Sequence, residues 1–176
     1  MFILLIIYVI IKTERMVFMN IPSLLIPKGT ITYLHTKDSI EFALSVFRQT
    51  SYTAVPVINS DGMYRGTLTE GDLLYYIMDN PDSDLKKVKV RNILRQDFYE
   101  AVKITASVDK LLIKVLDQNF VPVVDDRNIF VGIVTRKVIF KQIYEEQQKI
   151  KYGAYNNQKR EQFTKNAPLL YSFCNF

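Results

Sequence analysis

Cysteine and histidine, which supply many catalytic and metal-binding sites, occur once each in this sequence, and the two residues lie far apart. Cys174 is the single cysteine, so no cysteine-based metal site can be built, and the single histidine, His35, has no nucleophile or paired carboxylate motif around it. The neighbouring carboxylates Asp125 and Asp126 fall in a turn, with no second ligand pair at a suitable spacing. No phosphate-binding glycine loop and no nucleophile elbow occurs. The sequence therefore predicts no enzyme, no cofactor and no bound metal.

The more informative residues lie in two segments that repeat each other. A Pro-Val strand is followed ten residues after its proline by a glycine, and three residues later by a threonine. This pattern occurs at Pro56, Gly66 and Thr69 and again at Pro122, Gly132 and Thr135. Equivalent positions are separated by 66 residues throughout. Identical gaps between several matched positions indicate an internal duplication.

The elements that must position these residues follow the order β-α-β-β-α in each copy. Apolar spacing at i, i+3, i+4 and i+7 predicts a helix from Ile40, capped by Thr36 or Asp38, and another from Val108, capped by Ser107. We predict an α/β (α+β) fold of two tandem repeats. The predicted strands and closing helices are 30–34, 52–58, 64–68 and 71–78 in the first copy, and 98–102, 120–124, 129–134 and 137–151 in the second.

The chain divides into four parts on this basis. Residues 1–21 form an apolar N-terminal extension, 22–80 the first repeat, 81–150 a linker and the second repeat, and 151–176 a polar and basic tail. The first eleven residues are apolar, which is too short to cross a bilayer. We interpret them as the result of a start codon placed too early, the alternative being a short interfacial anchor. We expect a cytoplasmic protein without stable membrane insertion.

Charge argues against a nucleic-acid function. The formal charge is +5, but most of the excess lies near the termini, in the tail above all, and the body is nearly neutral. A nearly neutral body provides no broad surface for a phosphate backbone. The tail beyond Ile150 keeps one alternative open, a DNA-associated regulator.

At these motifs the sequence resembles the CBS domain family, whose signature is a Pro-Val strand followed by a Gly-x-x-Thr-x-x-Asp segment that leads into a helix. The first copy matches fully and ends in Asp72, whereas the second has Val138 at the acidic position. The resemblance implies that the two copies pack with pseudo-twofold symmetry, form clefts for adenine nucleotides and assemble as a homodimer. It also implies that Asp72 holds a ribose and that the cleft with Val138 does not bind one in that way.

A narrower resemblance is to the stand-alone CBS pairs of Gram-positive bacteria that bind cyclic di-AMP, the CbpB or DarB type. It rests on Lys28-Gly29-Thr30, on the segment from Thr50 to Pro56, on Asn119-Phe120 and on the segment from Phe130 to Lys137. The nucleotide-binding residues that the two resemblances imply are Lys28, Gly29, Thr30, Tyr52, Thr53, Ala54, Thr69, Asp72, Phe120, Val121, Thr135, Arg136 and Lys137.

Several of these residues have a chemical role that suits the ligand. Tyr52 could stack on a base and Thr53 could form a hydrogen bond to it. Arg136 and Lys137 are the phosphate candidates, because they begin a helix whose N–H groups and dipole add to their charge. Structural alternatives remain open: Asp72 as a first-turn carboxylate, Thr69 and Thr135 as helix caps, and Tyr52 as a packing residue.

The function predicted in this way is nucleotide sensing. Cyclic di-AMP, or failing that AMP or ATP, would bind between the repeats and change the affinity of the homodimer for a target protein. The resemblance suggests a stringent-response synthetase or pyruvate carboxylase as targets. The alternative from another class is a ligand-independent dimeric scaffold.

Overall fold

The structure is a computed structural model that describes residues 19–95, 98–149 and 151–152. The interpretations of residues 1–18 and of the tail from 153 onward therefore lie outside the described residues. Within the described residues, none of the helices combines the length and the apolar character needed to cross a membrane. The described residues divide into two compact units, one up to Arg136 and the other from Lys137 onward.

The first repeat begins with two short elements, α1 (Ile21–Leu24) and β1 (Ile26–Pro27), followed by a 3₁₀ turn at Lys28–Thr30. Its β-α-β-β-α unit then consists of β2 (Leu34–His35), α2 (Ile40–Thr50), β3 (Ala54–Ile58), β4 (Tyr64–Thr69) and α3 (Glu70–Asp79). The order of elements agrees with the prediction. The first strand is shorter than the predicted 30–34, because Thr30 belongs to the 3₁₀ turn and residues 31–33 have no regular structure.

The second repeat has the same order after a 3₁₀ turn at Val90–Asn92. Its elements are β5 (Val102–Lys103), α4 (Val108–Asp117), β6 (Phe120–Val124), β7 (Phe130–Thr135) and a final helix, α5, over residues 136–149 and 151–152. The strand predicted at 98–102 is again short. Tyr99 has a left-handed backbone, with φ of 62°, which interrupts an extended strand at this point.

The helix starts were predicted with mixed success. Thr36 and Asp38 are wrong as caps of α2: the hydroxyl of Ser39 accepts a hydrogen bond from the Phe42 N–H at 3.1 Å. Asp38 instead accepts from the backbone N–H of His35 at 2.7 Å, which closes the preceding turn. Ser107 is the N-cap residue of α4 as predicted, although its side chain makes no capping hydrogen bond.

The strands form two sheets, ordered β2-β3-β4 and β1-β7-β6-β5. In each repeat the first strand pairs in parallel with the second, and the second and third form an antiparallel hairpin. The difference is β1, which belongs to the first repeat in sequence but pairs antiparallel with β7 of the second. This crossing strand links the two repeats.

The two hairpin ends meet in a symmetrical way. The Tyr64 N–H donates to the Asn128 carbonyl at 3.2 Å, and the equivalent Phe130 N–H donates to the Gly62 carbonyl at 2.9 Å. Gly62 and Asn128 are themselves equivalent, and both have a positive φ, which the turn requires. Two copies of one hydrogen bond related in this way confirm the predicted pseudo-twofold packing of an α+β pair of repeats.

The core of the first repeat lies between its helices and the sheet. Its fully buried members come from β2, β3, β4, α2, α3 and the 3₁₀ turn before the second repeat: Leu34, Ile40, Ala43, Phe47, Val55, Val57, Leu68, Leu73 and Val90. In the second repeat β6 is buried along its whole length, as its run of apolar residues predicts. The candidate site lies at the ends of these strands, where β3 and β6 begin.

Candidate functional site

A cavity of about 370 Å³ opens where the first strands of each hairpin begin. It is lined by residues of both repeats, namely Ile26, Thr30, Ile31, Thr32, Tyr52, Thr53, Ala54, Pro56, Asn119, Phe120, Ile133 and Thr135. None of these side chains is charged. The lining combines aliphatic and aromatic surface with hydroxyl and amide groups, which suits a flat, partly polar ligand.

One wall of this cavity exists because β1 pairs with β7. Ile26 lies opposite Ile133, and Pro27 lies opposite Gly132. The approach at Gly132 is so close that a Cβ atom there would overlap the carbonyl oxygen of Ile26. Glycine at this position is therefore a condition for the crossing strand, and through it for the cavity.

The opposite wall comes from the starts of β3 and β6. The Glu70 N–H donates to the Thr53 carbonyl at 3.1 Å, and the Arg136 N–H donates to the Asn119 carbonyl at 2.9 Å. These equivalent bonds fix the residues before each strand against the end of its hairpin partner. Tyr52, half exposed, stands at the rim and presents an aromatic ring that packing does not occupy.

Six of the predicted nucleotide-binding residues line the cavity: Thr30, Tyr52, Thr53, Ala54, Phe120 and Thr135. Lys28 and Gly29 lie in the 3₁₀ turn next to Thr30 without lining the cavity. The side chain of Val121 is fully buried in the sheet, so a direct contact between it and a ligand has to be withdrawn. Alternation along a strand explains this, since Phe120 and Val121 point to opposite faces.

Sequence reasoning missed half of the lining: Ile26, Ile31, Thr32, Pro56, Asn119 and Ile133. Pro56 and Asn119 belong to segments that carry the resemblance, so a wider reading of those segments would have included them. Ile26 and Ile133 become neighbours only through the β1–β7 pairing. No local pattern in a two-residue strand predicts that pairing.

Thr69 and Asp72 lie outside the cavity and form a capping box at the start of α3. The carboxylate of Asp72 accepts from the N–H of Thr69 at 2.9 Å and from its hydroxyl at 2.6 Å, and the Asp72 N–H donates to that hydroxyl at 3.1 Å. The second carboxylate oxygen pairs with Nε of Arg95 at 2.7 Å, and the Asp72 side chain is 7% exposed. The structural alternative for Thr69 and Asp72 is thus observed, with the carboxylate already fully engaged.

At the position equivalent to the cavity in the other half of the molecule, described side chains pack on one another. The Arg95 guanidinium lies 3.6 Å above the ring of Phe98, and that ring packs against Tyr99, which in turn packs against Phe120. The Tyr64 hydroxyl donates to the Tyr99 carbonyl at 2.7 Å and bonds with Thr67 at 2.8 Å. Burial raises the pKa of Tyr64 well above its usual range, so the phenol remains a hydrogen-bond donor.

The Arg136 guanidinium donates hydrogen bonds to carbonyl groups at the C-terminal end of α4. Its Nε donates to the Val115 carbonyl at 2.9 Å, and one terminal nitrogen donates to the carbonyls of Leu116 and Gln118 at 3.2 and 3.1 Å. A guanidinium has five N–H donors, so two remain on the other terminal nitrogen. Lys137 begins the second compact unit. The phosphate roles of Arg136 and Lys137 stay predictions.

Groups of histidine, cysteine, aspartate or glutamate that could hold a metal ion do not occur in the described part of the chain. The cavity itself offers only neutral side chains. Its lining can bind through stacking, hydroxyl groups and backbone amides, and it contains no histidine, cysteine, lysine or carboxylate.

Comparison with known proteins gives a consistent result. The family model for the CBS domain matches residues 26–79 and 90–145. Cyclic di-AMP receptor B of Bacillus subtilis (strain 168) is 22% identical over 135 residues, covering 75% of this chain and 91% of the relative. A crystal structure of CbpB in complex with c-di-AMP aligns with a TM-score of 0.74 at 22% identity, over 80% of this chain and 94% of the other. CBSX2 in complex with AMP aligns with a TM-score of 0.61 at 18% identity, over 73% and 98%.

Proposed function

Because the chain belongs to the CBS domain family, we propose that it is a regulatory nucleotide sensor that binds cyclic di-AMP in the 370 Å³ cavity between its repeats. The observation that carries the proposal is that residues of both repeats, including six implied by resemblance, converge on one uncharged cavity. Its volume lies within the range of roughly 300–1,000 Å³ that is usual for small-molecule sites. The relative and the structural neighbour named for cyclic di-AMP support the choice of ligand.

The lining suits the adenine part of such a ligand. Tyr52 and Phe120 offer aromatic rings, while Ile26 and Ile133 offer flat aliphatic surface on the crossing strand. The hydroxyls of Thr53 and Thr135 provide polar groups at the edges. An adenine needs this combination, because its faces are apolar and its edge carries hydrogen-bond donors and acceptors.

The phosphates require cations that the cavity lining lacks. The two spare N–H donors of Arg136, together with Lys137 and Lys28, are the candidates. Arg136 can bind the carbonyl groups at the end of α4 and a phosphate at the same time, because only Nε and one terminal nitrogen donate to those carbonyls. We assign it a positioning role for α4 and a phosphate contact through the remaining nitrogen.

Regulation follows from linkage between nucleotide and target. A nucleotide that binds the free protein better than the target-bound protein weakens target binding by the same factor. We retain the predicted homodimer, the cytoplasmic location and the class of target as parts of this proposal. Catalysis is not part of it, because the lining residues include no histidine, cysteine, lysine or carboxylate that could activate a hydroxyl group or a water molecule.

The test is calorimetric titration of the purified chain with cyclic di-AMP, AMP and ATP in parallel. Tyr52→Ala should weaken cyclic di-AMP binding by about tenfold or more, because a stacked aromatic ring contributes on the order of 1–3 kcal/mol. Tyr75→Ala is the matched control, since Tyr75 is an exposed tyrosine of the same repeat outside the cavity lining. It should leave the affinity unchanged.

Other outcomes separate the alternatives. Tighter binding of AMP or ATP than of cyclic di-AMP would identify a mononucleotide sensor, for which the neighbour in complex with AMP is the precedent. Absence of binding by all three nucleotides would contradict the sensor proposal and leave the dimeric scaffold. Equal losses in Tyr52→Ala and Tyr75→Ala would place the ligand outside the cavity.

A further inference from the structure

A second cavity, of about 460 Å³, lies at the far end of the first repeat's strands. It is lined by Thr36, Asn59, Arg65, Arg91 and Leu94. Thr36 and Asn59 directly follow β2 and β3, whereas the candidate nucleotide cavity lies where β3 begins. The two cavities share none of their lining residues. Two arginines and no carboxylate in one small lining give this cavity a strongly positive character.

Backbone irregularity directs Arg65 into this cavity. In the β3–β4 hairpin Val57 lies opposite Gly66, but Ile58 lies opposite Tyr64. Arg65 is therefore the extra residue of a β-bulge, a feature that re-aims a side chain away from the regular alternation. Leu94 packs over Gly66 beside it and forms the apolar part of the lining.

Arg91 reaches the cavity from a rigid support. Its N–H donates to the Thr36 carbonyl at 3.1 Å, and the Thr36 N–H donates to the Ile58 carbonyl at 2.9 Å. The preceding residue, Val90, is fully buried and donates its N–H to the Asp38 carbonyl at 2.9 Å. Both arginines thus stand on ordered backbone, which lowers the entropic cost of using them to bind an anion.

Neither guanidinium has a partner among the described residues. The other arginines of this part of the chain show a clear contrast: Arg95 and Arg127 pair with carboxylates, and Arg136 donates to carbonyls. Arg48 is the remaining exception, and it lies on α2 away from the cavities described above. Two unpaired arginines that share one cavity are a geometry suited to bidentate binding of phosphate oxygens.

The second repeat provides an internal comparison. Its hairpin has the same bulge, between Val123 and Val124, and the extra residue there is Val131. Leu25 lies against Gly132 as Leu94 lies against Gly66, which makes Pro22 the counterpart of Arg91. Equivalent backbone positions are therefore occupied by two arginines in one repeat and by none in the other, so the fold itself does not require the arginines.

We propose that this arginine cavity binds the phosphate groups of a small phosphorylated metabolite, independently of the nucleotide cavity. A small ligand suits the lining better than an acidic protein segment does, because Leu94 is the single large apolar side chain there and a protein interface needs apolar anchors. The volume is also within the usual range of small-molecule sites. The Thr36 side chain adds a hydroxyl to the two guanidinium groups.

The test is a titration of the full chain with inorganic pyrophosphate at fixed ionic strength, in which binding is measured by the NMR chemical shifts of the backbone amides. Thr36 and Arg91 amides should shift and saturate, and Arg65→Ala and Arg91→Ala should each weaken binding about tenfold, the effect of one lost charge-assisted contact. Arg48→Ala, the matched control, should not weaken it. Arg91→Lys should weaken it less than Arg91→Ala, since charge is kept but the fork geometry is lost. Prior saturation with cyclic di-AMP should leave the pyrophosphate response in place.

Three results would overturn the proposal. The first is the absence of saturable shifts at Thr36 and Arg91, and the second is an equal loss in Arg48→Ala. The third is a hexaglutamate peptide that binds through Arg65 and Arg91 where pyrophosphate does not, which would make the cavity a docking surface for an acidic segment. Failure of cyclic di-AMP binding would affect the proposed function alone, because the pyrophosphate readout does not depend on it.

Discussion

The two repeats carry the same hairpin, with Val57 opposite Gly66 in the first and Val123 opposite Gly132 in the second, and with a bulge at the next pair. A leucine lies against each glycine, Leu25 at Gly132 and Leu94 at Gly66, but the chain that follows the leucine differs. After Leu25 it is β1, an extended strand that pairs with β7 beside the cavity. After Leu94 it is Arg95, which pairs with Asp72, and then the rings of Phe98 and Tyr99.

This difference gives the two clefts different surroundings. A strand satisfies its backbone through the neighbouring strand, so its side chains need not fill the space at its edge. The backbone at Tyr99 is irregular instead, and the side chains of Arg95, Phe98 and Tyr99 pack on one another and on Phe120. Duplication of a unit therefore conserves the hairpins while the connecting segments decide which side chains surround each cleft.

The largest expected effect comes from placing alanine at the two equivalent glycines. Both have positive φ, 145° at Gly66 and 159° at Gly132, and alanine adopts such angles with strain of about 1–3 kcal/mol. Gly132→Ala adds an overlap with the Ile26 carbonyl, whereas Gly66→Ala meets a leucine side chain that can move. We expect Gly132→Ala to lower the free energy of unfolding by at least about 3 kcal/mol and Gly66→Ala by about 1–2 kcal/mol.

Urea denaturation of both variants measures this difference, and nucleotide titration sharpens it. Gly132→Ala should also lose affinity for the nucleotide, because the displaced strand β1 carries a wall of the cavity. Gly66→Ala should keep it. Equal stability and equal affinity in the two variants would contradict the distinction between the strand at Gly132 and the leucine side chain at Gly66.

A smaller effect is expected at Asp72, which the family signature would assign to a ribose. Asp72→Ala removes the capping box and the pair with Arg95. We expect a loss of about 2 kcal/mol in unfolding free energy, mostly from the cap, since Arg95 is half exposed and its ion pair is screened. Nucleotide affinity should stay within twofold, because Asp72 does not line the nucleotide cavity and its carboxylate is bound by Thr69 and Arg95.

Asp109→Ala is the control for this variant, since Asp109 is an exposed first-turn carboxylate of α4. Its unfolding free energy should change by no more than about 0.5 kcal/mol. A steep loss of nucleotide affinity in Asp72→Ala, with Asp109→Ala unchanged, would return the ribose role to Asp72.

Tyr64→Phe makes the first repeat resemble the second, where Phe130 occupies the equivalent position. The variant leaves the buried Thr67 hydroxyl and the Tyr99 carbonyl without the phenol. We expect a loss of about 1 kcal/mol in unfolding free energy, the usual size for buried hydrogen bonds. Tyr75→Phe, at an exposed tyrosine, should show no loss, and equal values for the two would mean that the Tyr64 phenol does not stabilise the packing around Tyr99.

The smallest effect concerns pH and the two hairpin turns. Asn59 and Asp125 are equivalent, and each accepts two backbone N–H bonds through its side-chain oxygen, from Asp61 and Met63 in one turn and from Arg127 and Ile129 in the other. The bond from Ile129 is the main cause that holds the pKa of Asp125 below its usual value. Stabilisation from the ionised group is therefore present above the ordinary aspartate pKa and is lost as pH falls through the lower folded value.

Asp125→Asn should remove this dependence, because an amide oxygen accepts the same bonds at any pH. Unfolding measured from pH 7 to pH 2 should show that the wild type loses slightly more stability than the variant below about pH 4. The two proteins should agree at neutral pH. Parallel curves over the whole range would show that the Asp125 carboxylate has the same pKa in the folded and unfolded states.

Much of this molecule could be predicted from the sequence because its signals are local. The spacing of Pro56 and Gly66 against Pro122 and Gly132 predicted two copies of one unit, and apolar periodicity predicted α2 and α4. The Thr69–Asp72 capping box was also a local signal, left open as one alternative beside ligand contact. The helices and the cap depend on residues within a few turns of chain, where residue type constrains the backbone, and the duplication is visible because a short local pattern occurs twice.

Other features depended on the tertiary structure. The sequence by itself determined the repeats, their order of elements and six residues of the candidate cavity. The pairing of β1 with β7, the engagement of Asp72 by Arg95, the closing of α4 by Arg136 and the meeting of Arg65 with Arg91 were decided only by the fold. These contacts join segments far apart in sequence, and short strands or single side chains carry too little local preference to specify a distant partner. Packing of the whole chain chooses among those partners, and so it decides which side chains surround each of the two equivalent clefts.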